Sequence, residues 1–303
     1  MIPEHLVMGI FFFSQTTVGI LGNWSLLFHY FFSVYTGKNL TPTDQIITHL
    51  TFANSLAIMS RGIPQTMRQF GSKYLLDDTG CKLTLYLNRI SRGISLNTTC
   101  LLSCFQALTI SPRSGKWVAW KHRTTKYISP CCSLGWLIHL LLNIMITMRV
   151  TGYPNSENFT NRFHYGFCSG FVSGTITTPL YVSLLCCTDG LCLGLMAWAS
   201  GSMVSILYGH KRQVRYIHSA HRSPRVSPEA RATQTILLLV CTFVTCYSLS
   251  STLVVYVTFF ENPRLWVINI FAFLETCFPM FCPFVLINNN STSRSYFSCW
   301  GSR

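Results

Sequence analysis

Long apolar blocks alternate with short polar ones along the whole chain, recurring at intervals of roughly 30 to 45 residues. About 20 helical residues cross a hydrocarbon core of about 30 Å. Seven blocks reach that length, at 6–33, 46–70, 83–110, 127–148, 180–208, 233–260 and 265–287, followed by a short tail at 288–303. Several contain Gly, Pro, Ser or Thr, which in water would argue against helix. In lipid the backbone must satisfy its own hydrogen bonds and neighbouring helices cover a kink, so these blocks still predict helices. The alternating ten-residue strands of a membrane barrel are absent. The pattern predicts an all-α membrane protein, one domain built as a seven-transmembrane-helix bundle.

Composition points the same way. Charged residues make up 11% and hydrophobic ones 49%, whereas a soluble domain carries about a quarter charged. The net charge of +14 raises nucleic acid as a partner. The basic residues lie between apolar blocks, however, which suits loops beside an anionic leaflet, so membrane lipids are the expected partner and nucleic acid is not. Residue 6 onward reads as a retained signal anchor, since no basic segment or small-residue cleavage site accompanies the first block.

Orientation follows from Lys and Arg. Lys38, the segment Arg113 to Lys126, the segment Lys211 to Arg231 and the tail crowd one side, while Arg68, Lys73, Lys82, Arg149, Arg162 and Arg264 on the other are nearly balanced by acids. The positive-inside rule puts the N-terminus outside and the C-terminus in the cytoplasm. The abrupt switch from GHKRQVRYIHSAHR to TILLLV is then the water-to-lipid boundary. Ser227 reads as N-cap, Pro228 as the first helical residue and Glu229 as a first-turn acid.

Most of the 14 cysteines sit inside apolar blocks, where a thiol behaves as a small hydrophobe. Cys81 and Cys168 fall outside on the oxidising face and are expected to bond; the alternative is two separate loop thiols. Among the Asn-x-Ser/Thr sequons, Asn158-Phe159-Thr160 lies in an outer loop and is the expected glycan site.

Charges within apolar blocks are costly and mark function by default. Arg89 and Arg92 stand three apart in the third block, with Arg61 in the second, Asp189 in the fifth and Glu275 in the seventh. From the block boundaries all five lie roughly 9 to 16 Å below the outer surface. Together with Tyr86 they form the expected ligand-binding set, Arg89, Arg92 and Glu275 either touching a small ligand or forming an ion-pair lock that the ligand rearranges. A structural ion network is the plain alternative. On the cytoplasmic side Arg113, Lys116, Lys121, Lys211, Arg212 and Arg215 are the expected contacts for a signalling partner. Trp117 and Trp120 among cations suggest a short helix at headgroup depth. His210, His218 and His221 lie among arginines that repel a dication, so no metal or other cofactor is expected. No HExxH, GxSxG or P-loop is present, and no acid, base and nucleophile converge, so the chain does not read as an enzyme. A transporter would share the buried charges but usually shows repeated halves, and none is visible.

Particular motifs sharpen this. Leu21-Gly22-Asn23, Leu50 to Ser55, Gly62 to Met67, Gly80-Cys81-Lys82-Leu83, Arg89 to Gly93, Thr98 to Ser103, Thr109 to Arg113, Ser227 to Val240 and Pro283 to Leu286 together resemble the vomeronasal type 1 receptors, candidate pheromone receptors among the G protein-coupled receptors. The likeness runs from about residue 10 to residue 287. It implies a multi-pass plasma-membrane receptor that senses a small chemosignal and couples to an inhibitory-class heterotrimeric G protein. It also implies the Cys81 to Cys168 bridge and the Asn158 glycan. Asn88 stands where the family usually has His beside the arginine, and Phe278 to Pro283 departs from the usual Phe-Pro-Thr-x-Ser-Pro. Within receptors, a bitter-taste receptor is the nearest alternative.

Overall fold

The computed structural model describes residues 4–71, 76–111, 115–147, 150–151, 162–164, 168–171, 177–217, 228–259 and 264–289. Eight α-helices follow in order: α1 Glu4–Tyr35, α2 Pro42–Ala57, α3 Ile63–Gln69, α4 Asp78–Ile110, α5 Gly115–Thr147, α6 Thr177–Ile217, α7 Pro228–Phe259 and α8 Leu265–Asn289. Among the described residues α1, α4, α5, α6, α7 and α8 are each long and apolar enough to cross a membrane.

The second apolar block is divided by a π-helical turn, Ile58–Gly62, between α2 and α3. The backbone stays helical at both junctions, with φ −66°, ψ −42° at Ile58 and φ −64°, ψ −53° at Ile63. Residues 42–69 therefore form one continuous rod. Its wide turn has a local cause. Pro64 has no N–H to offer the Ser60 carbonyl and its ring would clash there, and a π turn makes the room.

Most helices extend beyond the apolar blocks. α2 begins at Pro42 rather than residue 46, because Thr41 and Asp44 form a capping box: Asp44 N–H donates to Thr41 Oγ1 at 3.2 Å and Thr41 N–H donates to Asp44 Oδ2 at 3.1 Å. α4 begins at Asp78, capped by Asp77 Oδ1, which accepts from Gly80 N–H at 2.8 Å. The basic runs before residue 127 and after residue 208 are helical over 115–126, carried by α5, and over 209–217, carried by α6. α7 starts at Pro228; Ser227, its expected cap, lies outside the described residues.

The fold is not purely helical. Between α5 and α6 three short strands, β1 Val150–Thr151, β2 Arg162–His164 and β3 Ser169–Phe171, pair antiparallel in the order β1-β3-β2. The Cys168 sulfur next to β3 is bonded to Cys81 at the start of α4, with Cα atoms 5.8 Å apart. This fastens the segment to the bundle, and a backbone brought close in this way satisfies its polar groups by pairing.

α4 is the central rod, packed against α2, α5, α6 and α7 and far more buried than α6. Leu50, Leu96, Leu102, Met196, Leu239 and Phe278 meet in the core around it. α8 packs on α7 and α1. Small residues let rods approach, as expected where lipid supplies no hydrophobic drive between helices. A Cβ on Gly22 of α1 would lie 2.9 Å from Pro283 Cγ, and one on Gly93 of α4 would strike the His139 ring of α5. Buried polar groups bridge the rods too. Ser95 Oγ donates to Asn54 Oδ1 at 3.0 Å, and Asn23 Nδ2 donates to the Pro279 carbonyl at 2.9 Å. That carbonyl would have bonded the N–H four residues on, which Pro283 lacks.

Candidate functional site

Glu275 of α8 sits between two guanidiniums. Its Oε2 lies 2.9 Å from Arg61 Nε, and its Oε1 accepts from Arg92 Nη1 at 3.2 Å. The Arg61 approach is a charge contact off the N–H axis; the Arg92 approach is an aligned hydrogen bond. The three side chains are 1% (Arg61), 7% (Glu275) and 15% (Arg92) exposed. The π turn presents Arg61, α4 presents Arg92, and α8 carries Glu275 one turn before Pro279. A charge at membrane depth must be paired, and here one carboxylate serves two cations.

The network continues on the Arg92 side. Arg92 Nη2 donates to Ser251 Oγ at 2.9 Å and to the Tyr247 carbonyl at 3.4 Å, and the guanidinium lies 4.3 Å from the centre of the Tyr247 ring. The Tyr247 hydroxyl donates a hydrogen bond to Asp189 Oδ2 on α6. Arg61 lies over the Phe271 ring at 5.0 Å. Polar contacts thus run unbroken from the π turn through α8, α4 and α7 to α6. Beside them, Asn269 Oδ1 accepts from Gln65 Nε2 at 3.0 Å and Gln69 Nε2 at 2.8 Å, joining α8 to α3.

A cavity of about 40 Å³ opens between α4, α7 and α8. Phe243, Tyr247 and Phe278 form much of its apolar wall, and Asn88, Arg92 and Glu275 enter its polar one. It has room for about two to four waters. A larger ligand must part α7 from α4, where the Arg92 bonds to Ser251 and Tyr247 lie.

Of the residues expected to bind ligand, Arg61, Arg92, Glu275 and Asp189 belong to one connected network, Asp189 through Tyr247. Arg89 is half-buried on α4 but outside the cavity lining. Tyr86 turns to α5, its hydroxyl donating to the Leu140 carbonyl at 2.9 Å. Tyr247, Ser251, Phe243 and Phe278 entered no sequence expectation about the site. The signal for Tyr247 and Ser251 was a polar tip and a serine inside an otherwise apolar helix, a pattern too common in this chain to single them out.

Lys116 and Lys121 fall on the first turns of α5, and Lys211, Arg212 and Arg215 on the last turns of α6. Arg113 and Asn158 lie outside the described residues. Among the described residues no group of three His, Cys, Asp or Glu side chains is placed to hold a metal ion.

The sequence profile of the vomeronasal organ pheromone receptor family matches residues 6–298. The chain is 43% identical over 300 residues to the human vomeronasal type-1 receptor 4, covering 99% of each chain. It is 46% identical over 291 residues to the human vomeronasal type-1 receptor 3, covering 96% of this chain and 93% of the relative. The zebrafish Danio rerio protein named olfactory receptor class A-like protein 1 is 30% identical over 294 residues, covering 97% and 92%. With a receptor profile spanning nearly the whole chain, near-full-length relatives and a bundle of apolar rods around a buried charge network, this multi-pass membrane protein belongs to the vomeronasal organ pheromone receptor family.

Proposed function

We propose that the chain is a seven-span plasma-membrane receptor whose cavity between α4, α7 and α8 takes a small chemosignal and whose cytoplasmic ends of α5 and α6 engage a heterotrimeric G protein. The continuous rod 42–69 supplies the seventh crossing, and the distribution of Lys and Arg supports an outside N-terminus with a cytoplasmic tail. The observation that carries the reading is the Arg92–Glu275 pair on the cavity wall, tied through Ser251 and Tyr247 to α7 and through Asp189 to α6. A ligand that binds better when α7 has moved shifts the population toward that packing. The motion carries the basic inner ends with it, so Arg113, Lys116, Lys121, Lys211, Arg212 and Arg215 are the proposed partner contacts. By resemblance the partner is of the inhibitory class, and Asn158 bears the glycan.

The test is a screen of small volatile chemosignals with a second-messenger readout in cells that deliver the receptor to their surface. Ser250→Phe, which fills the cavity from α7, abolishes the responses at unchanged surface level. Arg212→Gln with Arg215→Gln leaves binding intact and weakens signalling at least tenfold. Full responses in Ser250→Phe would put the ligand elsewhere.

A further inference from the structure

Asn88, Arg92 and Ser95 occupy one stripe of α4, at i, i+4 and i+7, and all three line the cavity. The charged residues of that lining are Arg92 and Glu275, and they are already joined to each other at 3.2 Å. The wall therefore offers a ligand no net charge. Ser95 is engaged as well, its hydroxyl donating to Asn54 Oδ1 at 3.0 Å. Asn88 differs: it is 6% exposed, and its side-chain amide has no hydrogen-bond partner among the described residues. The amide is not sealed in protein but open to the cavity, where water or a ligand supplies its partner. Across from α4 the aromatic wall is built by Phe243 and Phe278, whose rings meet edge to face with centroids 4.7 Å apart.

We propose that Asn88 reads the ligand: its amide bonds the oxygen of a neutral, otherwise apolar molecule, a ketone or an alcohol, whose hydrocarbon body lies on Phe243 and Phe278. The inference rests on the reading of this cavity as the ligand site. An amide offers two N–H donors and one carbonyl acceptor, so it serves a ketone as donor and an alcohol as either. An ionic ligand is disfavoured on the cavity side, because Arg92 and Glu275 face each other there and an incoming ion must break that pair. The apolar rings supply affinity without direction, and the amide supplies orientation.

Four probes on one ring skeleton test this: cyclohexane, cyclohexanone, cyclohexanol and cyclohexanecarboxylate, titrated by ligand-observed NMR against the full-length receptor in lipid nanodiscs. The ketone and the alcohol bind at least tenfold tighter than the hydrocarbon. Asn88→Leu and Asn88→Ala both erase that preference, and Asn88→Ala still binds cyclohexane; the smaller alanine shows that the loss is not mere filling of the cavity by leucine. The proposal is overturned by a preference that survives both variants, by the carboxylate binding tightest, or by neither oxygenated probe binding. Asn88-dependent binding without nucleotide exchange on an added heterotrimeric G protein upholds the residue's role and removes the receptor reading. Exchange driven equally well in both variants does the reverse.

Discussion

Glu275 carries one negative charge and faces two guanidiniums, an imbalance that ranks the cost of removing each partner. Glu275→Gln leaves both Arg61 and Arg92 without their anion at membrane depth, and breaking a buried pair from one side costs about 3–5 kcal/mol. Arg92→Gln leaves the carboxylate still held by Arg61, so the loss is nearer the roughly 1.5–3 kcal/mol of a hydrogen bond to a charged group. Thermal unfolding of the detergent-solubilised receptor should therefore rank Glu275→Gln well below Arg92→Gln. Equal losses would show that Arg61 is no second partner. The three-body arrangement also spoils a simple charge exchange. Arg92→Glu combined with Glu275→Arg sets a new cation against Arg61, and recovery then requires Arg61→Gln as well. At this scale the sequence revealed the charges, since an arginine or glutamate inside an apolar block stands out at once. It did not reveal direction. At about 100° per residue, Tyr86 is turned some 200° from Asn88 and belongs with Ile90 and Ile94 on the side facing Trp136, while Asn88, Arg92 and Ser95 share the cavity side.

Two prolines shape α8, and α1 answers one of them. Pro283 denies the Pro279 carbonyl its usual donor, and Asn23 reaches across from α1 to supply one. Asn23→Leu should cost about 1–2 kcal/mol, at the upper end of interhelical hydrogen bonds in membranes because the carbonyl is left buried and bare. In a Pro283→Ala background the helix regains its own N–H, so the same Asn23→Leu change should cost less than half as much in the thermal unfolding measurement. An undiminished cost would mean that Asn23 acts through its other bond, to the Gly19 carbonyl at 2.8 Å. The elements themselves were legible from apolar length, and their ends were not. Hydropathy marks the stretch that prefers lipid, whereas a helix stops where its caps say. Thr41 with Asp44, and Asp77, start α2 and α4 in polar sequence that a hydrophobic window passes over. The π turn left no apolar signature, and only Pro64 hinted at it.

At the scale of the molecule, α4 is a shared wall of the cavity, the ion network, the core and the tie to the segment carrying β3. That tie joins residues 87 apart in sequence, and α4 from Cys81 onward and the whole of α5 lie within the closed loop. A single protease cut anywhere between Cys81 and Cys168 would consequently yield a species that migrates intact on a non-reducing gel and falls into two bands once dithiothreitol is added. Two bands without reductant would mean that the halves are held together by packing alone.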